Sequence, residues 1–317
     1  MLRIDGGPHL PVGEARWLVA RSARRLRTAL FRPEASALGT VVLSPGRSEP
    51  IEKYGEVALD FLKRGFVVLL HDWAGQGLSQ RFQADRTRGD VDGGWRAFLS
   101  DYLDVVLAHA AQLPRPWLAV GHSMGGALTA LALTELDVRF DGVALCAPMM
   151  EFATGPVPTE AARRIASLAV RLGLGPRLAR ERAAPARVAF ERNLLTHDRE
   201  RYEQAVALYA AHPELSLGEP TWRWLKFGFD LRERLSAPGA AERIRCPLLV
   251  VAAGDDRIVH NEPIRRFVAR APRGRYVEVP GAWHEVLMER EPLRARFFEE
   301  FERLSSEARE HRAHSGG

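Results

Sequence analysis

Residues 117–135 read WLAVGHSMGGALTALALTE, the most informative segment of this 317-residue chain. Its first four residues are apolar, which predicts a buried strand, and the run after Gly126 has the composition of a buried helix. The Gly-x-Ser-x-Gly between them has the spacing of a tight strand-to-helix turn, in which only small residues fit beside the serine. The segment therefore predicts an α/β sheet that presents Ser123 at a helix N-terminus.

Short apolar runs alternate with amphipathic helical stretches along the chain, which is typical of a mostly parallel sheet covered by helices. The predicted parallel strands are Thr40–Ser44, Phe66–His71, Trp117–Gly121, Gly142–Ala147, Pro247–Ala253 and Tyr276–Pro280. The predicted helices are Glu52–Arg64, Ala97–Gln112, Met124–Glu135, Pro263–Arg270 and Pro292–Arg303. Arg25–Arg32 is interpreted as an antiparallel edge strand, with a basic amphipathic helix as the alternative.

This alternation breaks between Met149 and Ser236, where helical periodicity continues without a convincing strand. Six prolines divide the segment into short helices, because proline is disfavoured inside a helix. We therefore predict one α/β core formed by residues 1–148 and 237–306, with a helical lid inserted at 149–236. Residues 307–317 are polar, and we expect a disordered tail there.

The net charge of +5 comes mostly from arginine. These arginines are interleaved with acidic residues, as on solvated helix faces; contact with an anionic membrane is the alternative, and no nucleic-acid partner is expected. Neither a secretory signal nor a membrane-spanning apolar run is recognisable. We expect a cytoplasmic protein, with peripheral contact at the inner face of the cell membrane as an open alternative. The oligomeric state is left open.

A serine hydroxyl attacks an acyl group only when a histidine takes its proton and a carboxylate orients that histidine. Asp255 and Asp256 follow the fifth predicted parallel strand, and His284 follows the sixth. These positions lie at the carboxyl ends of strands, where sites gather, and the order Ser, Asp, His suits a strand-to-helix serine. The sequence predicts Ser123 as nucleophile, His284 as general base and one of the two aspartates as the acid.

The predicted reaction also needs two N–H donors for a developing oxyanion. Met124, directly after the nucleophile, supplies one, and Arg47, in the loop after Thr40–Ser44, supplies the other. The Arg47 side chain either meets an anionic substrate, or is a solvated arginine or a partner of Glu49. Position 288 is Met rather than the second histidine of a metal-binding helix, so no metal or other cofactor is expected.

Five segments together resemble the monoacylglycerol lipase and bacterial lysophospholipase branch of the α/β-hydrolases, a group of serine aminopeptidase-like enzymes. They are PGR at 45–47, DWAGQGLS at 72–79, GHSMGG at 121–126, DRIV at 256–259 and GAWHE at 281–285. In the predicted lid, NLLTH at 193–197 and GEPTW at 218–222 resemble the bacterial inner-membrane lysophospholipases in particular. The resemblance favours Asp256 over Asp255. Pro45 and Ala74 depart from the family's usual histidine and arginine, without removing a catalytic group.

The resemblance implies the α/β-hydrolase fold and ester hydrolysis through an acyl-enzyme, with a monoacyl lipid as substrate. Two apolar lid stripes, Ala161–Leu172 and Thr221–Phe229, are candidates for lining an acyl tunnel or touching a bilayer, and plain lid core is the alternative. The candidate substrate-binding residues are Trp222, Trp224 and Phe227. Two other functions stay open: a small-molecule carboxylesterase or proline-type peptidase, and a catalytically silent hydrolase-fold binding module.

Overall fold

The computed structural model describes residues 2–3, 11–85, 88–136, 138–180 and 188–315. Its strands are β1 (Leu2–Arg3), β2 (Glu14–Val19), β3 (Arg25–Phe31), β4 (Gly39–Ser44), β5 (Phe66–His71), β6 (Arg88–Gly89), β7 (Trp117–His122), β8 (Gly142–Cys146), β9 (Glu219–Pro220), β10 (Leu248–Ala253) and β11 (Gly274–Val279). Its α-helices are α1 (Gly55–Lys63), α2 (Gly94–His109), α3 (Ser123–Glu135), α4 (Thr159–Arg171), α5 (Arg199–Ala211), α6 (Trp222–Ser236), α7 (Asn261–Arg270) and α8 (Glu291–Ser315).

The central sheet has the strand order β1-β2-β3-β5-β4-β7-β8-β10-β11. The six strands from β5 to β11 in this order run parallel to one another. Strands β1, β2 and β3 are antiparallel to their neighbours. The parallel strands β4, β5, β7, β8 and β10 are buried along their whole length, which is why they appear in the sequence as continuous apolar runs. The predicted fold class, a mostly parallel sheet covered by helices, is confirmed.

Two hydrophobic cores cover the two faces of the sheet. One contains residues of α2, α3, α6 and α7, among them Phe98, Leu128 and Phe267. The other contains residues of α1 and α8, where Phe61 packs edge-on against Phe301 at 4.9 Å between ring centroids. The sheet is thus fixed from both sides, and this holds the loops at its carboxyl edge in place.

The structure differs from the sequence prediction at both ends of the chain. Arg25–Arg32 is an antiparallel strand as predicted, but it is not at the edge, because β2 pairs with residues 25–30 of β3. Strand β2 is not recognisable in the sequence, because it is half-exposed and its charged residues obscure the alternation. Residues 307–315 continue α8 instead of forming a disordered tail: Ala308 is fully buried, and Glu307 pairs with Arg275 at 2.8 Å.

The described part of 149–236 contributes α4, α5, α6 and the short β9, and it adds no strand to the central sheet. Strand β9 pairs instead with β6 in a separate two-stranded sheet. Asp90, just after β6, accepts a hydrogen bond from Thr221 Oγ1 at 2.7 Å and forms an ion pair with Arg223. These contacts attach the start of α6 to the α/β core.

Among the described residues, none of the helices combines the length and the apolar character needed to cross a membrane.

Candidate active site

The turn at Ser123 joins β7 to α3 with little room to spare. Ser123 has φ +50°, a left-handed conformation that costs a residue with a side chain on the order of 1–3 kcal/mol. A Cβ on Gly125 would lie 2.3 Å from the carbonyl oxygens of Ser44 and Pro45, and one on Gly121 would lie 2.8 Å from Gly126 Cα. Both flanking glycines are therefore required: Gly125 because the turn packs against the end of β4, and Gly121 because the turn folds back on itself.

Three side chains from three loops form a hydrogen-bonded chain at the carboxyl edge of the sheet. His284 Nε2 lies 3.0 Å from Ser123 Oγ, and His284 Nδ1 lies 2.7 Å from Asp256 Oδ2. All three are shielded from solvent: Ser123 and His284 are buried, and the Asp256 side chain is inaccessible. A neutral imidazole that donates Nδ1–H to the carboxylate can take the serine proton at Nε2.

The two neighbouring aspartates occupy different environments. Asp256 Oδ1 accepts the backbone N–H groups of Ile258 at 2.8 Å and Val259 at 3.0 Å, while its other oxygen meets His284. Burial favours the neutral acid, but His284 and these N–H groups outweigh burial and lower the pKa of Asp256 below its ordinary value. Asp255 is exposed. The structure therefore places Asp256, and not Asp255, against His284.

The loop after β4 approaches the serine closely. A Cβ on Gly46 would lie 3.2 Å from Ser123 Cβ. The residues on either side of Arg47 are held by hydrogen bonds: Gly46 N–H donates to Glu49 Oε2 at 2.6 Å, and Ser48 N–H donates to Gln76 Oε1 at 3.2 Å. This loop and the first turn of α3, which contains Met124, thus meet beside Ser123. Arg47 and Met124 could supply the two predicted N–H donors only if their segments approach the serine in this way.

The Arg47 side chain turns toward the 149–236 segment. Its guanidinium donates to Gly218 O and lies 4.9 Å from the centroid of the Trp224 ring. Burial lowers the pKa of Arg47 to about 10, against the opposing charge of Glu219. Of the alternatives for this side chain, the solvated arginine and the partner of Glu49 are wrong, because the guanidinium bonds the backbone just before β9.

A buried ion network lies beneath the serine and the histidine. Lys53 Nζ donates to Glu49 Oε1 at 2.7 Å and to Glu285 Oε1, and Glu49 also accepts Tyr54 O–H at 2.6 Å. Burial opposes the charged lysine, but the two carboxylates outweigh it and raise its pKa. Glu49 thus holds the loop of Arg47 through Gly46, while Glu285 directly follows His284. This network is not predictable from the sequence, since Glu285 lies 232 residues from Lys53.

His122, inside the serine motif, does not serve as the base. Its Nδ1 lies 3.2 Å from Cys146 O, and burial lowers its pKa to about 4 despite the nearby charge of Glu49. The ring therefore stays neutral at physiological pH and packs beneath the turn, 4.9 Å from the ring centroid of His284.

One group of described residues has ligand atoms close enough for a metal ion: Glu49, His122 and Glu285, whose atoms lie within 4.8 Å of one another. Lys53 already bonds both carboxylates, and a cation would have to displace its charged ammonium group. The donor set therefore fits a lysine-bridged network and not a metal centre.

A cavity of 1490 Å³ opens above Ser123 and His284. Trp222 and Trp224, two of the three aromatic residues predicted to bind substrate, line it. The third prediction is wrong: Phe227 is buried in the core against Phe98, with 4.9 Å between ring centroids. Phe227 and Phe229 are two residues apart in α6 and therefore point to opposite sides of the helix. Of these two, Phe229 lines the cavity.

Comparison with known proteins agrees with the fold and with the motifs. The family model described as serine aminopeptidase, S33, matches residues 35–291. Lysophospholipase L2 of Escherichia coli (strain K12) is 35% identical over 272 residues, which cover 80% of this chain and 76% of that protein. Monoacylglycerol lipase of Mycolicibacterium smegmatis is 27% identical over 273 residues, covering 83% and 86%.

Among solved structures, a soluble variant of the monoglyceride lipase from Saccharomyces cerevisiae superimposes with a TM-score of 0.73 at 15% identity. The superposition covers 93% of this chain and 96% of the yeast chain, which shows a shared fold. The family model matches most of the chain, and the sequence relatives and the shared fold agree with it. The protein therefore belongs to the serine aminopeptidase S33 family and has the α/β-hydrolase fold.

Proposed function

We propose that this protein is a serine hydrolase that cleaves carboxylic esters of monoacyl lipids, lysophospholipids or monoacylglycerols, through an acyl-enzyme. The observation that carries the proposal is the chain of hydrogen bonds Ser123–His284–Asp256 at the base of a 1490 Å³ cavity. The names of the two relatives, lysophospholipase and monoacylglycerol lipase, support the substrate class.

In the proposed mechanism, Ser123 Oγ attacks the ester carbonyl while His284 Nε2 takes the hydroxyl proton. The resulting oxyanion is stabilised by the N–H groups of Met124 and Arg47. The C–O bond to the glycerol breaks as His284 returns the proton to the leaving oxygen, and the fatty acyl group remains on Ser123. A water molecule, deprotonated by His284, then hydrolyses this ester and frees the serine. Asp256 keeps the imidazole in the required tautomer.

We propose residues 149–236 as the lid that receives the acyl chain. The cavity is lined on this side by apolar residues of α4, α5 and α6, among them Ala162, Ile165, Leu208, Trp222, Leu225 and Phe229. A cavity of this size exceeds what a small ester fills, since ligand sites are commonly about 300–1,000 Å³. Its apolar walls suit one long alkyl chain.

The first expected result concerns chain length. Each buried CH₂ contributes roughly 0.8 kcal/mol, so kcat/KM for saturated monoacyl esters should rise several-fold per two carbons and then level off when the cavity is full. Hydrolysis rates of a chain-length series of lysophosphatidylethanolamines, monoacylglycerols and p-nitrophenyl esters measure this. The variant Trp222→Ala should reduce the gain for long chains and leave the rate on p-nitrophenyl acetate nearly unchanged.

The same series separates the rival functions. A flat chain-length profile with good turnover of short esters would assign the protein as a small-molecule carboxylesterase. Faster cleavage of aminoacyl-proline substrates than of every ester would assign a peptidase, and no turnover of any substrate would leave a binding module.

We also propose that α4 contacts an anionic membrane surface, at the inner face of the cell membrane in the cytoplasm. Ile165, Leu168 and Leu172 follow the i, i+3, i+7 pattern of one helix face, yet they are 47%, 57% and 66% exposed. Arg164 and Arg171 are exposed beside them. An apolar stripe bordered by arginine is typical of helices that lie at a lipid interface. Ile165 also lines the cavity, so the contact would lie beside the substrate entrance.

Vesicle binding tests this contact. The protein should sediment with phosphatidylglycerol vesicles more than with phosphatidylcholine vesicles, and less as salt is raised, because the arginine attraction is screened. Leu168→Ser should weaken binding, whereas Leu107→Ser, which changes an equally exposed leucine (55%) on α2, should not. Equal losses in the two variants would argue against α4 as the contact.

A further inference from the structure

The NLLTH segment at 193–197 has no role in the proposed chemistry, yet it contacts the loop that contains His284. The segment connects a short 3-10 turn at Phe190–Arg192 to α5. It lies against Trp283–Glu289, the part of the chain that runs from just before the proposed general base to the start of α8.

The residues directly before and after His284 are both held through this segment. Glu285 N–H donates to Leu195 O at 2.8 Å. Trp283 N–H donates to Glu289 Oε1 at 2.9 Å, and the same oxygen lies 2.8 Å from His197 Nδ1. The backbone after His284 is thus held directly by the segment, at Leu195. The backbone before His284 is held indirectly, through Glu289 and His197.

Among the described residues, no lysine or arginine side chain pairs with the carboxylate of Glu289, although this side chain is inaccessible to solvent. Its oxygens meet four donors: the Nδ1 and backbone N–H of His197, and the backbone N–H groups of Trp283 and Arg290. The His197 ring also packs on the Trp283 ring, with 3.9 Å between centroids. Within the described part of the chain, the His197 side chain thus both bonds Glu289 and packs on Trp283.

The segment is rigid enough to hold its neighbour. Asn193 is buried, and its Oδ1 accepts the N–H groups of Leu195 at 2.8 Å and Thr196 at 3.0 Å. Thr196 Oγ1 donates to Met288 O at 2.7 Å. These bonds fix the positions of Leu195 O and His197. A substitution at His197 should therefore displace the His284 loop, because segment 193–197 cannot rearrange to compensate.

We infer that His197 is a positioning residue for the general base: through Glu289 and Trp283 it sets the orientation of His284 toward Ser123. The inference rests on the proposed function, in which His284 moves the proton. It also means that the lid takes part in the chemistry, because segment 193–197 belongs to the proposed lid. Displacing reacting groups by about 1 Å can cost on the order of 10²-fold in rate.

The test compares three substitutions at one position, with p-nitrophenyl butyrate as a soluble ester that does not depend on membrane contact. His197→Asn places an amide N–H where Nδ1 lies, whereas His197→Gln places it one carbon further out, and His197→Ala removes it. We expect kcat to fall about 10- to 100-fold in the Ala and Gln variants with little change in KM. The Asn variant should retain kcat within about threefold, because the bond to Glu289 survives.

Arg199→Ala is the matched control, since it removes exposed ion pairs at the start of α5 without touching the His284 loop. Thermal unfolding of every variant is measured alongside. Equal kcat values in the Asn and Gln variants, or wild-type kcat in His197→Ala, would overturn the inference. The proposed function is judged separately on the wild type: if it does not hydrolyse the ester, or if Ser123→Ala still does, that proposal fails whatever happens at position 197.

Discussion

Replacing Ser123 with alanine is expected to abolish ester hydrolysis, with a loss on the order of 10⁶-fold in kcat, and to abolish labelling by a fluorophosphonate probe. The reason is chemical: Ser123 Oγ is the group that lies 3.0 Å from His284 Nε2, and alanine has no oxygen to activate. Both residues carry a Cβ, so the unusual φ of this position is strained equally in either case and the folded structure should persist.

Ser305→Ala provides the control for that result. Ser305 is also a buried serine, but it lies in α8, outside the residues that line the cavity, and its loss should leave turnover and labelling unchanged. Labelling of Ser123→Ala at the wild-type rate would show that another residue is the nucleophile.

The second large effect is expected at Asp256. An asparagine there would offer its amide where His284 needs an acceptor, so the ring would adopt the wrong tautomer, and kcat should fall on the order of 10⁴-fold. Asp255→Asn should have little effect, because that side chain is exposed and makes no contact with His284. Steady-state kinetics on a soluble ester distinguishes the two variants. The reverse ranking would assign the acid to Asp255.

The two aspartates also show where sequence reasoning stops. Both follow a strand and precede His284, so their position alone allows either as the acid, and only the resemblance to DRIV favoured Asp256. The choice depends on the turn after β10, in which the N–H groups of Ile258 and Val259 draw one carboxylate inward. Such a turn is set by tertiary contacts and is not encoded in the local pattern.

The serine motif was predictable because its glycines lie at a fixed spacing beside the serine in the sequence. Gly121 and Gly125 are needed where a Cβ would collide with the backbone of the same turn or of β4, and the spacing of these glycines is visible in the sequence. The strand before Ser123 and the helix after it were likewise predicted, since continuous apolar runs distinguish buried parallel strands.

Contacts between distant segments were not predictable. Lys53 and Glu285 lie on opposite halves of the chain, and a lysine next to acidic residues resembles an ordinary solvated helix face. The same holds for His197 and Glu289, whose pairing depends on how the lid returns to the core. Phe227 illustrates a smaller error: an aromatic stripe identifies a helix that packs, but not which of its faces meets the cavity.

The acyl-enzyme itself gives the most direct test of the proposed function. The protein is mixed with a saturated lysophospholipid, quenched in acid within milliseconds, digested and analysed by mass spectrometry. We predict a fatty acyl ester on the peptide that contains Ser123, and the same acyl mass when a monoacylglycerol of equal chain length replaces the lysophospholipid. An acyl group on any other residue, or lysolipid turnover by Ser123→Ala at the wild-type rate, would contradict the account.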